Sequence, residues 1–163
     1  MGMAWLLMVF ILVSADQISK ILIRINLDKN SAVVVVDNFI YISHRINRGA
    51  AWSILADKDW GIYVLASISF IASCLMIYLI LRSGNRRFKA VVSVICAGSV
   101  GNLIDRVLFK GVTDFLELHF GNYVFPTFNV ADSLIVCGTI AMVIFMIADK
   151  NFLSDFESKG ENN

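Results

Sequence analysis

Apolar positions in this chain gather into four long runs, and polar positions gather between them. The cleanest run, Trp60 to Leu81, carries no charge. It is long enough to cross a hydrocarbon core of about 30 Å as a helix rising ~1.5 Å per residue. Met1 to Ile25, Ala90 to Phe109 and Phe128 to Ala148 are apolar with only a few polar or charged interruptions. The pattern predicts a membrane all-α fold, a single integral membrane domain over 1–163, with spans near 4–25, 60–81, 90–109 and 128–148. A buried hairpin in a soluble protein explains any one run, but four runs leave too little polar sequence to cover such a core. Met1 to Ile25 starts without a positive charge and is interrupted by Asp16 and Lys20, so it reads as a retained first span rather than an export signal.

The connections fix the expected orientation. Arg82-Ser-Gly-Asn-Arg-Arg-Phe-Lys89, between the second and third spans, carries four cations and no acid, which makes that turn cytoplasmic. Both termini then lie on the same cytoplasmic side. The tail after Ala148 mixes Lys150 and Lys159 with Asp149, Asp155, Glu157 and Glu161 and adds little. The outer segment 26–59 holds two β-prone stretches, Val33 to Val36 and Phe39 to Ile42, parted by Asp37-Asn38. Open strand edges do not face lipid, so a small β-containing platform between helices 1 and 2 is expected on the outer surface. The second outer segment, Lys110 to Thr127, carries Gly111, Gly121-Asn122 and Pro126 as breakers and reads as an approach to the last helix.

Composition sharpens this picture. Hydrophobic residues make up 58% and charged residues 17%, below the roughly 25% usual for soluble domains. A net charge of +1 with no basic stripe between aromatics gives no footprint for nucleic acid. Cys74, Cys96 and Cys137 fall inside spans without metal-ligand spacing and are expected to be small buried hydrophobes. His44 and His119 lie in outer segments, far from any cluster of three ligands, and give no metal site.

Charged side chains inside spans are costly and need a reason. Asp16 and Lys20 are four apart on one helical face. Asn102, Asp105 and Arg106 repeat the logic in the third span, and Asn129 with Asp132 in the fourth. Asp105 lies about 24 Å beyond Lys89 along a helix. With the basic turn inside, these residues and Asp114 all fall at one depth, towards the outer face. Bland roles stay open: Asp16 with Lys20, or Asp105 with Arg106, could hold helices together, and Asp114 alone could be a solvated loop carboxylate. Asp132 at the same depth raises Asp114 above that default, because no His or thiol is there and Ser19 and Lys20 are adjacent rather than facing. What remains is a paired-carboxylate hydrolase. A small transporter or channel subunit would spread polar residues through the whole depth, and a scaffold would tolerate loss of both aspartates.

At this point five stretches, in order, resemble the lipoprotein signal peptidases, the type II signal peptidase family of bacterial inner-membrane aspartyl proteases. They are Asp16-Gln-Ile-Ser-Lys20, Asn47-Arg-Gly-Ala-Ala-Trp52, Gly98-Ser-Val-Gly-Asn-Leu-Ile-Asp-Arg106, Val112-Thr-Asp-Phe115 and Pro126-Thr-Phe-Asn-Val-Ala-Asp132. Arg48 fills the variable place of the family's Asn-x-Gly, and Trp52 stands where the family often has Phe. The resemblance implies Asp114 and Asp132 as catalytic residues, with supporting or substrate-positioning roles for Asn47, Gly49, Asn102, Asp105, Arg106, Asn129, Asp16 and Lys20. It implies a substrate as well, a prolipoprotein whose cysteine already carries diacylglycerol, cut just before that cysteine. It further implies no metal or organic cofactor, membrane lipids as surroundings, a monomer holding every reacting group, and a site near the outer face of the bacterial inner membrane.

Overall fold

The computed structural model describes residues 2–49, 58, 60–149 and 152–153 of the 163. The chain runs α1 (Met3–Asn26), β1 (Ala32–Val36), β2 (Ile40–Asn47), α2 (Gly61–Arg82), α3 (Arg86–Phe109), β3 (Val112–Phe120), β4 (Tyr123–Val124) and α4 (Val130–Ala148). All four helices are long and apolar enough to cross a membrane. The small sheet expected between helices 1 and 2 is present.

Helix α3 is the centre of the bundle: α1, α2 and α4 each pack chiefly against it. Its small residues make that possible. A Cβ at Gly98 would run into the carbonyl oxygen of Ala131, and one at Gly101 would lie 2.5 Å from Oδ2 of Asp16. Close backbone approach is how helices associate where no hydrophobic drive separates them from lipid. The other helices turn large apolar side chains outward, among them Phe10 and Ile11, Phe70 and Ile71, Val136 and Ile140. All three cysteines are free, but only Cys96 is buried; Cys74 and Cys137 are exposed on α2 and α4. That corrects the expectation for two of the three.

The end of the bundle beside the α2–α3 turn is an apolar cluster of Val9, Ile80, Phe88, Val92, Cys96, Ala97 and Phe152. The basic turn is shorter than its composition suggests. The side chain of Asn85 accepts from the amides of Arg87 (2.9 Å) and Phe88 (3.2 Å), so α3 starts at Arg86 and takes three of the four cations into its first turn.

The opposite end carries an antiparallel sheet of order β1-β2-β3-β4. The segment after α3, in which the sequence marked only breakers, supplies β3 and β4. β3 is held by pairing with β2, where Tyr41 faces Glu117, Arg45 faces Asp114 and Asn47 faces Val112. Its other edge binds Phe128, whose amide donates to Leu116 O at 3.0 Å. The chain therefore reaches α4 pressed against β3, which sets Asn129 beside Asp114.

Candidate active site

Two carboxylates from different elements line one cavity where the sheet rests on the helices. Asp114 is on β3 and is 3% exposed. Its Oδ1 accepts from Asn129 Nδ2 at 2.7 Å and its Oδ2 from Asn47 Nδ2 at 3.0 Å. Burial and then the charge of Asp132 push the Asp114 carboxyl up to about 7, against the opposing pull of the Asn47 and Asn129 hydrogen bonds.

Asp132 owes its position to the start of α4. Asn129 is the N-cap: its side-chain oxygen accepts the amide of Asp132 at 2.9 Å, and Asp132 Oδ2 accepts the amide of Asn129 at 3.2 Å. This reciprocal capping box satisfies two helix-end donors and fixes the Asp132 rotamer. The remaining oxygen, Oδ1, accepts from Asn102 Nδ2 at 2.8 Å. Asn129 therefore touches both aspartates.

Behind this layer the polar residues of α1 and α3 form a continuous support. Asn102 Oδ1 accepts from Lys20 Nζ at 3.0 Å and from Asn129 Nδ2 at 3.2 Å, which leaves its amide nitrogen for Asp132. Lys20 pairs with Asp16 at 2.9 Å, both fully buried. Asp16 Oδ1 in turn accepts the amide of Ala131 at 2.8 Å, so α1 caps α4.

Asp105 belongs to a different task. Its Oδ2 meets Arg24 Nη2 at 2.8 Å and accepts the amide of Thr113 at 2.9 Å. Arg24 donates through Nε to Thr113 Oγ1 at 2.9 Å and lies 3.8 Å over the Phe109 ring. The pair ties α1 to the start of β3, and Asp105 lies outside the cavity lining. Arg106, its neighbour, turns the other way: Nη1 lies 3.4 Å from Ser69 Oγ, and Nε is buried with no hydrogen-bond partner among the described residues.

The cavity at these groups has a volume of about 810 Å³ and is lined by Asn47, Gly49, Asn102, Arg106, Asp114 and Asp132 on its polar side. Ile135, Val136, Phe125 and Phe128 give it apolar walls. Gly49 is buried, and its amide donates to Asn47 Oδ1 at 2.9 Å, which points Asn47 Nδ2 at Asp114. Ala50, Ala51 and Trp52 of the same stretch lie outside the described residues. His44 sits 2.8 Å from Leu27 O through Nδ1, and His119 sits 2.7 Å from Glu117; neither lines the cavity.

The structure thus joins Asp16, Lys20, Asn47, Asn102, Asn129, Asp114 and Asp132 in one hydrogen-bonded set, with Gly49 and Arg106 at the same cavity. Sequence reasoning missed Arg24 and Gln17, whose Nε2 reaches Gly101 O at 3.1 Å and Asp105 Oδ1 at 3.3 Å. The spacing of four from Asp16 to Lys20 continues to Arg24 on the same face, a signal that could have found it.

Comparison with known proteins follows the same lines. The family model described as signal peptidase (SPase) II matches residues 8–148. A lipoprotein signal peptidase of Listeria monocytogenes serotype 4a (strain HCC23) is 33% identical over 160 residues, covering 97% of this chain and 99% of that protein. A lipoprotein signal peptidase of Bacillus pumilus (strain SAFR-032) is 34% identical over 149 residues, covering 90% and 94%. Among solved structures, a bacterial membrane enzyme determined by the in meso method at 2.3 Å resolution superposes with a TM-score of 0.80 at 31% identity, over 90% of this chain and 89% of that one. A second bacterial membrane enzyme, determined by the same method at 1.9 Å, gives a TM-score of 0.77 at 31% identity, over 90% and 94%.

Proposed function

This chain belongs to the signal peptidase II family, and from that membership we propose that it is an aspartyl endopeptidase in which Asp114 and Asp132 hydrolyse the peptide bond before the lipidated cysteine of a diacylglyceryl-modified prolipoprotein. The observation that carries the reading is Asn129. One side chain touches two carboxylates from separate elements, both facing the same 810 Å³ cavity.

Two carboxylates in one low-dielectric site do not both ionise cheaply, so the pair shares a proton. With its carboxyl lifted to about 7, Asp114 is the member to which we assign the shared proton, which leaves Asp132 for the base role. Asp132 accepts a proton from water as the water oxygen attacks the scissile carbonyl. Asp114 donates to the carbonyl oxygen and supports the tetrahedral intermediate. Collapse breaks the carbon–nitrogen bond, the cysteine nitrogen takes a proton, and the dyad returns to one shared proton. Asn102 and Asn47 hold the two carboxylates in register. Arg106 Nε, buried without a partner among the described residues, suits a substrate carbonyl in the cavity. The chemistry written this way needs no metal or organic cofactor.

The apolar walls on α4 suit a signal segment and acyl chains in the bilayer, while the sheet side receives the polar chain outside it. The same reading puts the sheet on the outer face of the bacterial inner membrane, both termini in the cytoplasm, and one copy of the chain as the working unit. The test is cleavage of a diacylglyceryl-modified prolipoprotein by the purified protein in detergent, beside Asp114→Asn and Asp132→Asn. Cleavage before the lipidated cysteine by the parent, lost in both folded variants, supports the reading. Full activity in either variant removes that residue from the pair.

A further inference from the structure

Charge around the cavity is unbalanced in a way the hydrolysis itself does not use. Its charged lining among the described residues is Arg45, Arg48, Arg106, Asp114 and Asp132. With one proton shared by the aspartates, cations exceed anions in that lining by two, and by one once Glu117 beside Arg45 is counted. Arg106 lies deep, against Ser69, but Arg45 and Arg48 are exposed on the end of β2, at the sheet side of the opening.

Arg45 is also held in place. Glu117, whose side chain is only 12% exposed, reaches Arg45 Nη2 at 3.9 Å with Oε2 and His119 Nε2 at 2.7 Å with Oε1. The His119 ring packs on Tyr41 with centroids 4.2 Å apart. A carboxylate largely removed from water is thus anchored beside Arg45, which is itself 44% exposed at its side chain and directly opposite Asp114 across the β2–β3 pair. Arg48 forms no ion pair with a described carboxylate, and its charge is free for a ligand.

We propose that Arg45 and Arg48 form a cationic rim that selects substrates by charge, favouring acidic side chains in the first residues after the lipidated cysteine. The proposal rests on the peptidase reading above. An apolar signal segment must lie against the Ile135 and Val136 wall, so the polar product chain leaves on the opposite side, across the end of β2. Residues immediately following the scissile bond then pass within reach of both guanidiniums, where a carboxylate is attracted and an ammonium is repelled.

The test is a set of synthetic diacylglyceryl-cysteine peptides in a nonionic detergent, identical except for Asp, Gln or Lys at the two positions after the cysteine. The ratio of kcat/KM for the Asp peptide over the Lys peptide is read for each enzyme, so that a partly folded preparation cancels. The parent is expected to favour Asp on the order of tenfold at low salt, falling towards unity as salt screens the rim. Arg45→Gln/Arg48→Gln should bring the ratio near one, and Arg45→Glu/Arg48→Glu should invert it. A parent that cleaves all three peptides equally overturns the inference and leaves the peptidase reading standing. A preference that survives in the double Gln variant also overturns it. A parent that cleaves none of them removes the peptidase reading, and the inference with it.

Discussion

Asn129 donates to Asp114 at 2.7 Å while its own side-chain oxygen accepts the amide of Asp132 at 2.9 Å. Helix capping and alignment of the proposed dyad are therefore one arrangement. Asn129→Ala removes both at once. Loss of the cap should cost about 1 kcal/mol of stability. Loss of alignment should lower kcat by about 10²-fold, as a displacement near 1 Å of a reacting group does. Thermal unfolding in detergent and peptide cleavage, measured on the same preparations, separate the two effects. A variant whose activity falls only as far as its folded fraction would remove the alignment role.

Asp105 offers the contrasting case. It is fully buried and bound to Arg24 and the Thr113 amide, yet it lies outside the cavity lining. Asp105→Asn leaves Arg24 without its anion and should destabilise the protein by about 3–5 kcal/mol. Activity per folded molecule should stay within about tenfold of the parent, because the disturbance reaches the dyad only indirectly, through β3 and through Lys20, 3.7 Å from Asp105 Oδ2. Complete inactivity of a well-folded Asp105→Asn protein would contradict this assignment.

The helices were legible because membrane length and backbone satisfaction leave a long apolar run few alternatives. β1 and the first half of β2 were legible from the β-branched stretch at Val33 to Val36 and the β-prone run Phe39 to Ile42. β3 was not, although Glu117 and His119 alternate with Leu116, Leu118 and Phe120 at strand spacing. Gly111, Gly121 and Pro126 draw attention to the ends of that segment, whereas its strand character depends on pairing with β2, far away in sequence. Within the site, the same-face spacings of Asp16 with Lys20 and Asn129 with Asp132 showed which groups share a depth. They did not show that Asp105 and Arg106, adjacent in sequence, turn to opposite sides of α3, one into the scaffold and one into the cavity. That division follows from the ~100° between consecutive helical residues and from which neighbour each side meets.

The buried pair Asp16–Lys20 predicts a non-additive mutant cycle. Lys20→Met strands the Asp16 carboxylate in a dry site and takes one of its two donors from Asn102 Oδ1, at a cost of about 3–5 kcal/mol. Adding Asp16→Asn removes the stranded charge and keeps an oxygen for the Ala131 amide. The double variant should therefore be more stable than Lys20→Met alone, while its kcat stays depressed because Asn102 is still without the Lys20 donor that helps hold it against Asp132. Unfolding midpoints of the four proteins decide it; a double variant no more stable than Lys20→Met would show that the charge pair is not what the scaffold needs.

The Asp114 carboxyl gives a pH dependence with a definite sign. Its value of about 7 in the folded protein stands above the ordinary 3.8, through burial first and the Asp132 charge second. Below about 7 the group is protonated and can donate to the scissile carbonyl, and above it the proton is lost. Cleavage should therefore decline through an alkaline limb with a midpoint near 7, falling about tenfold per pH unit beyond it. The same shift acts on folding. The native protein holds this proton more tightly than the unfolded chain, so its contribution to stability is complete below about 4 and is lost as pH rises towards about 7. Asp114→Asn cannot titrate there and should flatten that part of the curve of unfolding midpoint against pH. Rate profiles from pH 5 to 9 and unfolding midpoints from pH 4 to 8 test both halves, since the stability loss must level off near the midpoint of the rate limb if a single group causes both. An alkaline limb that begins above pH 9 in the parent, or an unchanged stability curve in Asp114→Asn, would place the shared proton elsewhere than on Asp114.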